Sequence, residues 1–305
     1  MTDSSTHEVW FDAGHSLVHT VQWQPPVESP TAPPVLLVHG LGGSTVNWDL
    51  VGQGLANRFG SRVTAIDLPG FGRTRAEHRR TGFDDHRDVV TAFLTERGPA
   101  LVAGNSMGGA VSVAVAAEHP ELVTGVVLVN AAYPRPSGNL DQVARTIKFA
   151  TLTFPRAATP IVHARARRLG PDRLVDATLL AVLAEPERLD PGVRDRLIDL
   201  AAERRHYPEA AAAYTESGGS LFRYLLTGMR PDLLRLDRPT MILHGRRDRL
   251  VPVSFARAVA RRRADWQYVE LAECGHAPQL ETPDRFVEIV SGWADHRLRD
   301  PATHA

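Results

Sequence analysis

The sequence predicts an α/β fold: a mostly parallel sheet with helices on both faces, interrupted by an inserted helical cap. Three observations predict it. Short strand-like runs such as Val35 to Val38 and Val123 to Val129 alternate with helix-spaced segments, and a run apolar throughout, as Val35 to Val38 is, suits a strand buried on both faces. From about Pro134 to Arg238 the alternation stops and helix-like pieces follow one another. At Thr240 the alternation resumes. The expected division is therefore residues 1–133 and 239–305 for the core and 134–238 for the cap.

Each element has its own signal. His7 to Asp12 and Leu17 to Trp23 are β-like, and a proline-rich turn from Pro25 to Pro34 separates them from Val35 to Val38. Asn47 to Phe59 has helical spacing, and Arg62 to Asp67 is a short buried strand closed by Leu68-Pro69-Gly70. Asp84 to Arg97 reads as a helix with Asp84 or Asp85 at its N-cap. Leu101 to Ala103 is a strand ended by Gly104, and Met107 to His119 a small, apolar helix stopped by Pro120. In the cap, Leu140 to Leu152 and Val193 to Arg205 read as helices, with breaks expected at the prolines and at Ser217-Gly218-Gly219. Thr240 to Leu243, a helix near Ser254 to Arg263, the strand Trp266 to Leu271 and a helix from about Pro283 to Leu298 complete the core.

Composition narrows the function. The 305 residues carry 35 basic and 35 acidic side chains, so no net field steers the chain toward nucleic acid. The single cysteine, Cys274, supports neither an internal disulfide nor a thiolate zinc site. No stretch has the length of a membrane span, and the first residues lack the basic start and apolar run of a secretion signal. The expectation is a cytoplasmic monomer or homodimer without metal or cofactor, acting on a small molecule.

The chemistry concentrates in one motif. Gly104-Asn105-Ser106-Met107-Gly108-Gly109 follows a buried strand and opens a helix, the setting in which G-x-S-x-G places a serine hydroxyl clear of the sheet. The helix N-terminus then points amide donors toward Ser106, the Met107 N–H among them. A serine needs a general base. Of 13 histidines, position selects His276, just after the strand Trp266 to Leu271 and on the same sheet edge as Ser106. Asp248, after Thr240 to Leu243, supplies the carboxylate that would orient that base. The position after Val123 to Val129 reads Asn130-Ala131-Ala132 and offers no acid. Asp67 reads as a turn residue. The glycine-rich loop His39-Gly40-Leu41-Gly42-Gly43-Ser44 allows close backbone approach and nominates the Leu41 N–H as second oxyanion donor. Gly40, Trp48 and Asn105 are candidate substrate contacts, with Trp48 equally readable as packing. Phe149, Phe154, Tyr214, Phe222, Tyr224 and Met229 could line an acyl pocket, although most of them suit the cap's own core better.

These motifs, with DLPGFGRT at Asp67 to Thr74, GRRD at Gly245 to Asp248 and CGHAPQLETP at Cys274 to Pro283, give the chain a resemblance to α/β-hydrolase fold proteins with a helical cap. The chain order Ser, Asp, His is that family's. The resemblance implies a serine hydrolase, and Ser106 stands where haloalkane dehalogenases and epoxide hydrolases of the fold use aspartate. GNSMGG is similar to the corresponding turn of meta-cleavage-product hydrolases, which cut carbon–carbon bonds. Those enzymes usually carry glycine-proline where this chain has Gly42-Gly43, and often tryptophan where it has Ala277. The expected activity is therefore cleavage of apolar carboxylic esters through an acyl-enzyme on Ser106. Carbon–carbon hydrolysis and a slow or non-catalytic small-molecule receptor are the alternatives.

Overall fold

A computed structural model of the protein describes residues 6–14, 16–29, 32–76, 80–134 and 155–298. Eight strands form one sheet: β1 (Thr6–Asp12), β2 (Leu17–Trp23), β3 (Val35–Val38), β4 (Val63–Ile66), β5 (Ala100–Asn105), β6 (Val123–Val129), β7 (Thr240–Gly245) and β8 (Gln267–Leu271). Their spatial order is β1-β2-β4-β3-β5-β6-β7-β8. β2 pairs antiparallel with β1 and β4, and every other pairing is parallel.

The apolar runs are continuous because both sheet faces are covered. Val35 and Leu37 of β3 join the cluster under α1 (Asp49–Phe59) and α10 (Pro283–Leu298), whereas Leu36 and Val38 join the cluster under α2 (Phe83–Arg97), α3 (Met107–Glu118) and α8 (Val253–Arg262). Successive side chains of a strand point to opposite faces, so each run feeds two cores. α3 is buried from Met107 to Ala116, which accounts for its lack of a polar face.

The helices between β6 and β7, where the sequence places a cap, are α4 (Pro155–Val182), α5 (Pro191–Arg204), α6 (Ala210–Thr227) and α7 (Met229–Arg235). α4 is broken at Gly170-Pro171, where Gly170 has φ 76° and ψ 170°. α6 runs unbroken through Ser217-Gly218-Gly219, contrary to the expected break. Tertiary bonds hold it there: Ser217 Oγ donates to Thr81 O at 2.5 Å, and Ser220 Oγ accepts from Phe83 N at 2.8 Å. α7 packs down onto α3, and its Met229 and Leu233 belong to the main core rather than a cap pocket. The expected helix Leu140 to Leu152, with Phe149 and Phe154, lies outside the described residues. α2 also starts earlier than expected: Gly82 is its N-cap residue and Asp85 reaches back to accept from Gly82 N at 2.9 Å.

A third apolar cluster joins cap to core. Val175, Leu179, Leu183, Leu189 and Val193 pack with Ala277 and Leu280 of α9 (Pro278–Glu281), the short helix following His276.

Candidate active site

Ser106 stands alone between the end of β5 and the start of α3, with φ 55° and ψ −116°. A non-glycine residue pays for such a backbone, and strain of about 1–3 kcal/mol persists only where neighbours over-determine it. Here they do. Ser106 N donates to Val129 O at 3.0 Å, and Ser106 O accepts from Gly109 N, Ala110 N and Ala132 N at 3.1, 3.3 and 2.9 Å. Met107 N–H belongs to the first turn of α3, where amides have no acceptor within the helix.

Gly40 abuts this turn. A Cβ on it would stand 2.9 Å from Ser106 Cβ and 3.3 Å from Asn105 O, so only glycine lets the loop that carries Leu41 reach Ser106. The loop's exit is pinned from behind: Thr45 N donates to Asp67 Oδ1 at 2.6 Å. Asp67 Oδ2 also accepts from Arg73 N at 2.9 Å and pairs with His19 Nδ1 at 2.7 Å. That is a buried turn-holding carboxylate, as its place in the sequence suggests. Above the loop, a Cβ on Gly42 would touch Tyr214 Cε2 of α6 at 3.1 Å.

His276 and Asp248 meet as the sequence proposes. His276 Nδ1 lies 2.7 Å from Asp248 Oδ2. A carboxylate has no proton to give, so Nδ1–H donates, and Nε2 is the ring nitrogen left to act as a base. The other carboxylate oxygen, Oδ1, accepts from Leu250 N and Val251 N at 2.8 and 2.9 Å. Burial pushes the Asp248 pKa up, but the neighbouring His276, His244 and Asn130 outweigh it and hold it below the usual carboxylate value.

Asn130 is the residue the sequence reading passed over. It follows β6 with φ 44°, a conformation asparagine tolerates better than most residues. Its Nδ2 donates to Asp248 Oδ2 at 2.7 Å and to Gly275 O at 3.0 Å, and its Oδ1 accepts from Gly245 N at 3.2 Å. One amide thus binds three strand ends together. The only sequence signal was an amide at a strand-end position that could have carried an acid.

Two expected substrate contacts do other work. Asn105 is buried, and its Nδ2 donates to Val129 O and to His276 O, both at 3.0 Å, bracing the histidine loop against the serine turn. Trp48 is fully buried, 6.2 Å from the Phe286 ring in the core beneath the sheet, and does not wall a pocket. Cys274 is buried against Thr282 Oγ1 at 3.2 Å, and burial pushes its thiol pKa up. Among the described residues no group of three or more His, Cys, Asp or Glu side chains could hold a metal ion, and no helix is long and apolar enough to cross a membrane.

A family model described as the alpha/beta hydrolase family matches residues 35–289. A 2-hydroxymuconate semialdehyde hydrolase of Pseudomonas sp. (strain CF600) is 30% identical over 276 residues, covering 84% of this chain and 85% of that protein. A 2-hydroxy-6-oxo-6-(2'-aminophenyl)hexa-2,4-dienoic acid hydrolase of Metapseudomonas resinovorans is 27% identical over 282 residues, covering 89% and 87%. Among solved structures, a 2-hydroxy-6-oxo-6-phenylhexa-2,4-dienoate hydrolase from Rhodococcus sp. strain RHA1 superposes with a TM-score of 0.69 at 23% identity, over 97% of this chain and 99% of that one. An esterase from Thermogutta terrifontis gives 0.69 at 22%, over 95% and 98%. At such identities the structural likeness establishes the fold alone.

Proposed function

The chain belongs to the alpha/beta hydrolase family, and from that premise we propose that it is a serine hydrolase cleaving the carbon–carbon bond of a ring-fission dienoate. Ser106 is the nucleophile, His276 the base, and Asp248 the carboxylate that orients it. The observation that carries the hydrolase assignment is the 2.7 Å pairing of His276 Nδ1 with Asp248 Oδ2, on a loop that Asn105, the neighbour of the strained Ser106, binds through His276 O at 3.0 Å. Support for the reaction class comes from the activities named for two relatives matched over more than four fifths of their length.

The chemistry follows from the leaving group. A carbon departs with its electron pair only if a conjugated carbonyl can accept that pair, so a proton must move within the dienol before the ketone is attacked. Ser106 Oγ then adds to the ketone carbon while His276 takes its proton. The N–H groups of Leu41 and Met107 hold the oxyanion, at roughly 3 kcal/mol per donor. As the oxyanion collapses, the carbon–carbon bond breaks, its electron pair passes into the conjugated carbonyl, and His276 gives its proton to the departing dienolate. The neutral His276 then takes a proton from water, whose oxygen attacks the acyl-enzyme and releases the acid, and the proton returns to Ser106 Oγ. The substrate's carboxylate calls for a cation, which a cap arginine would supply.

Ester hydrolysis is the second reading. It is favoured by Gly42-Gly43 and Ala277, which replace the glycine-proline and tryptophan usual in the carbon–carbon hydrolases. One panel separates the two: a p-nitrophenyl ester series and a 2-hydroxy-6-oxo-dienoate, with wild type and Ser106→Ala. Rapid, Ser106-dependent loss of the dienoate supports carbon–carbon cleavage. Turnover confined to the esters reverses the order. Activity that survives in Ser106→Ala overturns both.

A further inference from the structure

The polar contacts of the cap with the His276 and Asp248 loops gather in one short segment, residues 180–185. His276 N donates to Val182 O at 2.7 Å, Arg249 Nη1 to Leu180 O at 2.8 Å, and Arg247 Nη1 to Glu185 Oε1 at 2.6 Å. Gly275 lies flush against this segment, where a Cβ would come within 2.7 Å of both Ala184 N and Val182 O. Glu281 closes the contact: its Oε1 accepts from Gly275 N and its Oε2 from Ala184 N, each at 2.7 Å.

We propose that Glu281 is a positioning residue that locks cap residues 182–184 onto the 274–276 loop, so that docking of the cap sets the orientation of His276. The inference rests on the serine-hydrolase reading of Ser106 and His276.

Both partners of the carboxylate are N–H donors, and a carboxylate offers an acceptor to each. A glutamine in its place would meet one of them with an NH₂ group, donor against donor. Burial raises the Glu281 pKa, and the groups opposing that rise are backbone N–H donors, those of Ala184 and Gly275 first. The carboxylate therefore reports on both sides of the contact at once. Because His276 N–H is itself bonded to Val182 O, an error in the cap's seating passes directly to the imidazole.

The test uses a small fluorophosphonate, too short to depend on the cap for binding. Its phosphorus bonds to Ser106 Oγ, fluoride leaves, and His276 takes the hydroxyl proton, so the labelling rate reads alignment of the serine with its base. Rates are measured by mass spectrometry on the full chain for wild type, Glu281→Gln, Glu281→Asp and Gly275→Ala. Labelling slowed about tenfold or more in Glu281→Gln and Gly275→Ala, with partial recovery in Glu281→Asp and thermal midpoints within a few degrees of wild type, supports the proposal. In Glu281→Gln, kcat on the preferred substrate should fall by the same factor with KM within twofold. Labelling of Glu281→Gln at the wild-type rate overturns it. Should Glu281→Gln not fold, Gly275→Ala decides in the same way, because it leaves the carboxylate intact and wedges the contact open. A wild-type chain not labelled at Ser106 would instead overturn the serine-nucleophile reading, and this inference with it.

Discussion

Asn130 Nδ2 donates to Asp248 Oδ2 across 2.7 Å, although 118 residues separate them in the chain. The same oxygen accepts from His276, so the candidate triad acid is held from two sides. Replacing Asn130 with alanine removes that donor together with the bonds to Gly275 O and Gly245 N. With net contributions of about 1 kcal/mol per hydrogen bond, unfolding in urea should show a loss of about 2–3 kcal/mol. kcat should fall with KM nearly unchanged. Asn130→Asp should be worse at neutral pH, because two carboxylates in contact retain a shared proton, and raising the pH should recover part of its activity. A kcat equal to wild type in both variants would show that Asp248 needs no second partner.

Asp248→Asn tests the acid itself. Without the carboxylate the imidazole loses its orienting acceptor and the partner of its cationic form, and kcat should drop by about 10⁴. Steady-state kinetics on the preferred substrate of the panel checks this. A loss of only a few-fold would move the acid elsewhere.

Gly40→Ala places a methyl group 2.9 Å from Ser106 Cβ. Both atoms sit on constrained backbone, so the loop must retreat and carry the Leu41 N–H with it. Loss of one oxyanion donor costs about 10²–10³ in kcat. Kinetics should show that loss. Unchanged kcat would remove Leu41 from the oxyanion hole.

Arg204, at the end of cap helix α5, donates to Gly72 O at 2.7 Å and Gly70 O at 2.6 Å. Arg204→Met keeps the stem and strips two buried carbonyls of their donor. The expected cost is about 2–4 kcal/mol by urea unfolding. A change below about 0.5 kcal/mol would mean that water satisfies those carbonyls.

His86 lies buried under α6, with Nε2 2.9 Å from Ser217 Oγ, and burial drives its pKa down from 6.5 to about 3. The folded chain keeps His86 neutral while the unfolded chain protonates it, so its contribution is whole above pH 6.5 and erodes as the pH falls toward 3. Between pH 7 and pH 5 the loss from this group should be about 2 kcal/mol. His39 and His244 are depressed by burial as well and act in the same direction. The difference between wild type and His86→Gln is therefore the readout. Equal slopes of stability against pH in the two proteins would show that His86 is hydrated when folded.

The sequence by itself determined the fold class, the strand–turn–helix around Ser106, and the pairing of His276 with Asp248 as candidates. Those signals are local: apolar runs report strands buried on both faces, and a serine between glycines reports a tight turn, wherever the rest of the chain lies. The tertiary structure decided what the polar residues bind. Asn130 read as a missing acid until Gly245, Gly275 and Asp248 converged on its amide. Asn105 read as a candidate substrate contact, and the structure shows its amide bracing Val129 O and His276 O; Trp48 read equally as pocket wall or packing, and it lies in the core. Ser217-Gly218-Gly219 read as a break until Thr81 and Phe83 supplied partners that hold the helix. Periodicity records which face of an element is buried, whereas a hydrogen bond depends on two atoms meeting within about 3 Å, and for these residues the partners lie tens to more than a hundred positions away.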